Sequence, residues 1–212
     1  MNRRSFLGLS LATGFDRLLN AQQCVPLAPG VFGCHAQLSF PSVVLAATLQ
    51  QCPEWCWAAS ISMVFKFFGH PLDQKTIVAR KYHSLVCMSA LSASQIASDL
   101  SDSWTDDNGD DFSSELTAAY DFRAGVLAID NAIIVNELLN GRPLLYCNTQ
   151  HAMVVCAADY RPGPVEPAID GIAVMDPWPY SPRIHPLSPP EMIPAHMGGQ
   201  MTFLASVDIT DG

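Results

Sequence analysis

The run CWAASISMVFKFF, residues 56 to 68, constrains this chain more than any other feature. It is apolar on nearly every side and is stopped by Gly69, His70 and Pro71. An amphipathic helix can lie on a surface, but a helix without a polar face must be enclosed. The rest of the chain therefore has to supply layers around this one. The run also begins with a cysteine. A helix N-terminus carries partial positive charge and favours the thiolate of a cysteine placed there.

The flanking segments indicate what those layers are. Pro71 to His83 reads as a second helix, with Asp73 as N-cap and Ile77, Val78 and Tyr82 as apolar positions. Ser92 to Leu100 is predicted helical, as is Asp130 to Asn140 with Gly141 at its C-cap. The character then changes: RPLLYCN, HAMVVCAADY and GIAVMDP are short β-type runs with turns between them, and MTFLASVDI is a last one. Residues 24 to 49 are proline-spaced and read as an extended lead-in. Ser101 to Ser114 is acidic and turn-rich and reads as a surface loop. Its oxygens do not follow the EF-hand spacing, which argues against a calcium site. Helices early and strands late predict an α+β fold, with a helical half against an antiparallel sheet half and a cleft between them.

At 212 residues the chain suits one domain plus a removable leader. Eleven basic against twenty acidic residues leave a net charge of −9, which excludes a nucleic-acid binder that relies on a basic face. Residues 1–23 read as an export signal: Arg3 and Arg4 precede the nearly apolar run Phe6 to Phe15, in the manner of a twin-arginine address. That run is too short to span a bilayer, so the mature chain, 24–212, is expected to have no integral membrane segment and to be periplasmic or secreted. Seven cysteines in an exported protein predict three disulfides and one working thiol, and Cys24 and Cys34 are near enough in sequence to staple the mature N-terminus.

A cysteine nucleophile needs an imidazole to pair with, a group to hold that imidazole, and donors for a developing oxyanion. His151 opens one strand run and Asp176 closes another, and strand ends present side chains into a cleft. Gln50, six residues before Cys56, can aim its amide at the same point as the Cys56 backbone N–H. Singly, each has a plain structural explanation: a packed thiol, a core histidine, an Asp-Pro turn. Zinc at Cys147, His151 and Cys156 lacks a supporting C-x-x-C pair, and no phosphate-cradling loop or dinucleotide fingerprint is present, so no metal or cofactor is expected.

Taken together, Gln50, the five residues after it and Cys56-Trp57-Ala58-Ala59-Ser60 resemble the nucleophile segment of papain-like cysteine peptidases. WCWAAS and the later VMDPWPY are more similar to the bacterial branch that includes the type III effector avirulence proteases. The resemblance covers about residues 40 to 180. It implies hydrolysis of a protein or peptide substrate through a Cys56–His151–Asp176 triad and an acyl-enzyme, with Gln50 in the oxyanion hole and Trp57 and Trp178 as apolar neighbours. The pattern also has departures. Cys52 stands four residues before Cys56 rather than three as in the plant and lysosomal signature, and Cys87 is its expected partner. Arg161 to Gly171 inserts a proline-rich turn between the His151 and Asp176 strands, leaving Asp159 and Asn148 as rival orienters on the His151 hairpin. Acyl transfer by the same triad and a non-catalytic peptide-binding domain of the same fold are the alternatives.

Overall fold

The structure, a computed structural model, describes residues 23–212, so the export signal except for its last residue lies outside the described residues. The chain opens with a hairpin, β1 (Gln23–Ala28) and β2 (Val31–Gln37). Gly30 turns it with φ +77°, a conformation that favours glycine. Cys24 and Cys34 are register partners in this hairpin and are joined by a disulfide. The lead-in is thus not extended throughout: Phe40–Ala46 forms helix α1, with a proline in its first turn. Proline suits a first helical turn, where its missing N–H has no intrahelical partner to lose. Burial of Val43 and Ala46 then outweighs the β preference of the two valines.

Helix α2 (Cys56–Phe67) is the predicted enclosed helix, and every residue from Trp57 to Phe65 is buried. It packs on the sheet on one side and on α1, α3 (Gln74–Tyr82) and α4 (Ala93–Leu100) elsewhere. The expected cap at Asp73 is present, accepting from Lys75 N at 2.7 Å, and Ser92 likewise caps α4 by accepting from Gln95 N at 3.1 Å. The acidic stretch after α4 is a hairpin rather than a loop, with β3 (Ser103–Thr105) pairing with β4 (Asp111–Asp121). Trp104 and Phe112 are register partners and are both buried. Some of the acids serve the turn: Asp106 Oδ1 accepts from Asn108 N and Asp110 N. The composition of a turn therefore concealed two short apolar anchors.

The remaining elements are β5 (Val126–Leu127), α5 (Asn131–Leu139), β6 (Leu144–Cys147), β7 (Ala152–Arg161), β8 (Ala168–Met175), β9 (Ile184–Pro186), α6 (Pro189–Met192) and β10 (Phe203–Asp211). Asp130 caps α5, and Gly141 follows it with φ +76°. The strands form one antiparallel sheet along the path β1-β2-β7-β6-β10-β4-β3, with β5 on β4, β8 on β7 and β9 on β8. The class is α+β as expected, although β1 and β2 precede the helices and β4 comes from the middle of the chain to pair with the last strand.

The cysteines correct the expectation of three bridges. Cys24–Cys34 and Cys52–Cys87 are bonded, while Cys56, Cys147 and Cys156 are free thiols. The second bridge spans 35 residues and ties the loop before α2 to the segment after α3. On a chain-entropy estimate such a loop closure is worth about 3–4 kcal/mol. Replacing Cys52 and Cys87 together by Ala is expected to lower unfolding free energy by about 2–4 kcal/mol, measured by urea denaturation.

Candidate active site

The segment before Cys56 is held in place before the helix begins. Gln74, buried in the first turn of α3, accepts from Gln51 N at 2.9 Å and donates to Leu49 O at 3.0 Å. Gln50 N donates to Pro177 O at 2.9 Å, which ties this loop to the residue after Asp176. Trp55 and Trp57 send their indole N–H groups to the carbonyls of Val86 and Met88, at 2.8 and 3.1 Å. Together with Cys52–Cys87 they fasten residues 86–88, and Ser89 to Ala93 just beyond form one wall of the cleft. Helix α2 then starts on Trp55 without a side-chain cap. No capping side chain competes with a ligand for the dipole at the end where Cys56 stands.

His151 precedes β7 and Asp176 follows β8. The ladder between these strands begins at Val154 opposite Met175, so the two side chains emerge from neighbouring strand ends. Asn148 shapes the approach: its Oδ1 accepts from Gln150 N and His151 N, and its Nδ2 donates to Glu191 Oε1. The rival orienters are thus placed elsewhere, Asn148 on the backbone of this turn and Asp159 on His35 at 2.6 Å. The proline-rich insertion closes the far end of the ladder, where Arg161 pairs with Asp170.

His151 Nε2 lies 2.6 Å from Asp176 Oδ1, and the ring interacts with Cys56, which lines the same cleft. With Nε2 engaged by the carboxylate, Nδ1 is the nitrogen left for the thiol. Burial by itself would lower the imidazole, but hydrogen bonds to Asp176 and Cys56, with their charges, outweigh it and raise His151 to about 9. Asp176 shows the converse balance. Burial pushes its carboxyl up, yet donors from His151, Trp178 N and His185 hold it at about 2. Trp178 stands edge-on to His151 with ring centres 6.2 Å apart, and Trp57 is buried beside the thiol.

Gln50 is placed differently from the other three. Its Nε2 donates to Cys52 O at 3.0 Å and Pro53 O at 2.7 Å, and its buried Oε1 has no partner among the described residues. Both amide hydrogens face the loop. Burial pushes the other free thiols up, Cys147 strongly and Cys156 to about 12, whereas Cys56 is only partly buried. Cys56 and His151 open onto a cleft of about 320 Å³ that is also walled by Trp57, Leu91, Ile96 and Phe203. Two members of the site escaped sequence reading. Gln74 looks like any polar residue in a first helical turn, and His185 sits in a proline-rich tail without a motif.

An antiparallel sheet packed against helices, with a cysteine opening the central buried helix at the cleft, is the architecture of a papain-like cysteine protease. Residues 39–185, more than half of the chain, match the family model described as papain-like cysteine protease AvrRpt2. The chain belongs to that family and is a cysteine peptidase, a hydrolase acting on protein. A search of curated proteins finds no match.

Both shifted groups link stability to pH. Asp176, depressed to about 2 from 3.8, contributes stability that is present above its unfolded value and lost as pH falls toward 2. His151, raised to about 9 from 6.5, contributes stability that is complete below 6.5 and lost as pH rises through 9. Thermal melts across pH are expected to fall off between 6.5 and 9, and His151→Ala is expected to flatten that alkaline decline.

Proposed function

We propose that the peptidase works through Cys56, His151 and Asp176, with Cys56 as nucleophile, His151 as acid and base, and Asp176 as the orienting carboxylate. The observation that carries this reading is the His151–Asp176 bond beside Cys56, at the start of a buried helix and the edge of a cleft that Cys56 and His151 both line. With His151 held near 9, the imidazolium is the form present at neutral pH and can pair with a thiolate. The thiolate attacks a peptide carbonyl, and the Nδ1 proton of His151 passes to the leaving amine as the C–N bond breaks. Neutral His151 then takes a proton from water, which hydrolyses the thioester and returns Cys56 to its starting state.

The oxyanion is held by the Cys56 backbone N–H and by Gln50. In the resting arrangement the Gln50 amide serves Cys52 and Pro53, so one hydrogen has to turn toward the substrate. Releasing one such bond costs about 1 kcal/mol. A donor on the developing oxyanion contributes about 3–4 kcal/mol, so the exchange is favourable in the transition state. Gln50→Ala is expected to lower kcat by about 10²–10³ with little change in KM.

Two disulfides support an oxidising compartment, and no helix among the described residues is long and apolar enough to cross a membrane. The protein is accordingly proposed to be exported under the direction of residues 1–23. Arg3→Lys with Arg4→Lys would then leave it in the cytoplasm on fractionation.

The decisive experiment on the site is alkylation by iodoacetamide. Fast labelling confined to Cys56 and slowed at least about 100-fold by His151→Ala supports the triad. Equal, slow labelling of Cys56, Cys147 and Cys156 would remove it. Peptide hydrolysis should disappear in Cys56→Ala, and its rate should fall as pH rises through about 9, where His151 loses its proton.

A further inference from the structure

Asp176 is held by two histidines rather than one. His151 Nε2 approaches Oδ1 at 2.6 Å, and His185 Nε2 approaches Oδ2 at 3.0 Å. Trp178 N adds a third donor, again to Oδ1, at 2.8 Å. The only hydrogen bond the described residues make to Oδ2 is therefore the one from His185.

The placement follows from strand register. Strand β9 lies on β8 with His185 opposite Val174, and Asp176 N donates to Arg183 O at 2.9 Å just beyond. Side chains two apart on a strand share a face, so His185 is a diagonal neighbour of Asp176. Its Nδ1 is 3.0 Å from Pro186 O, which fixes the ring in the plane it needs. The charged and titratable groups around this pair are His151 from the start of β7 and Glu191 from α6.

The Asp176 side chain is only 4% exposed, so an oxygen without a donor is not rescued by bulk water. Without His185, the carboxylate either keeps a bare oxygen or turns to share its remaining donors. Each outcome weakens its hold on the His151 imidazolium, because a rotation of the carboxylate moves Oδ1, the oxygen that His151 and Trp178 N both contact.

We propose that His185 is a positioning residue for the reaction, fixing the Asp176 carboxylate through Oδ2 so that it holds His151 toward Cys56. This rests on the triad reading above. It extends the set of groups that control the reaction to a strand the cleft does not include.

Two substitutions separate the ring's two bonds. His185→Gln sets an amide N–H where Nε2 stood and retains the contact to Asp176. His185→Asn reaches only to where Nδ1 stood and retains the contact to Pro186. The readout is the second-order rate of iodoacetamide labelling of Cys56 in the full chain at pH 6.5, beside wild type and His151→Ala, with thermal melts of all four. A positioning role predicts a drop of about 5- to 20-fold for Asn and a rate within about two-fold of wild type for Gln, at similar melting temperatures. With the peptide cleaved by wild type, the same loss should fall on kcat and leave KM unchanged. Equal rates for Asn and wild type, or equal losses for Asn and Gln, would overturn the proposal. If Asn does not unfold cooperatively, His185→Leu takes its place and is read in the same way. Failure of the triad itself looks different: wild type would then label no faster than His151→Ala.

Discussion

The enclosure of helix α2 is the constraint on which the rest depends. A helix without a polar face has to be surrounded, and here β6 and β7 cover one side while α1, α3 and α4 cover the others. Enclosure leaves its N-terminus as the end that reaches the cleft. Burial of the remainder thus turns a generic property, the partial charge of a helix terminus, into a located one at Cys56. The loop before Cys56 leaves the core by a route that Gln74, Pro177 and the Cys52–Cys87 bridge all define.

A second balance governs the chemistry. Asp176 is buried deeply enough that desolvation opposes its charge, and it remains ionised because three donors converge on it. The charge so retained, with that of Cys56, lifts His151 against its own burial. Desolvation also separates the thiols: Cys147 and Cys156 lie in the core and are pushed up, while Cys56 stands at the rim. Position relative to the core, more than residue type, therefore sets Cys56 apart from the other two free thiols.

The Cys52–Cys87 bridge, Trp55 and Tyr82 support the cleft from behind, and Trp57 both lines it and braces its far wall. Tyr82 packs edge-on against Trp57 and donates to Ser89 O at 2.7 Å. Each of these contacts fastens residues 86–89, next to the Ser89–Ala93 wall of the cleft, so the tryptophans that flank Cys56 in sequence hold the opposite bank in space.

Much of this was legible in the chain itself. The buried helix, the cap at Asp73, the helices that begin near Ser92 and Asp130, and the late strands follow from local periodicity and capping chemistry, which short stretches of sequence carry intact. Helix α1 and the β3–β4 hairpin were not legible, because their local preferences, β for the valines of α1 and turn for the acidic stretch, are overridden by what covers them. The residue types at Gln50, Cys56, His151 and Asp176 suggest a site before any geometry is known. Only the tertiary structure decided which carboxylate meets His151, that the Gln50 amide rests on its own loop, that Cys147 and Cys156 stay unbridged, and that His185 joins Asp176. The reason is physical: caps and helical periods are set by neighbours within a few residues. Hydrogen bonds across a sheet depend on strand register, which no single strand encodes.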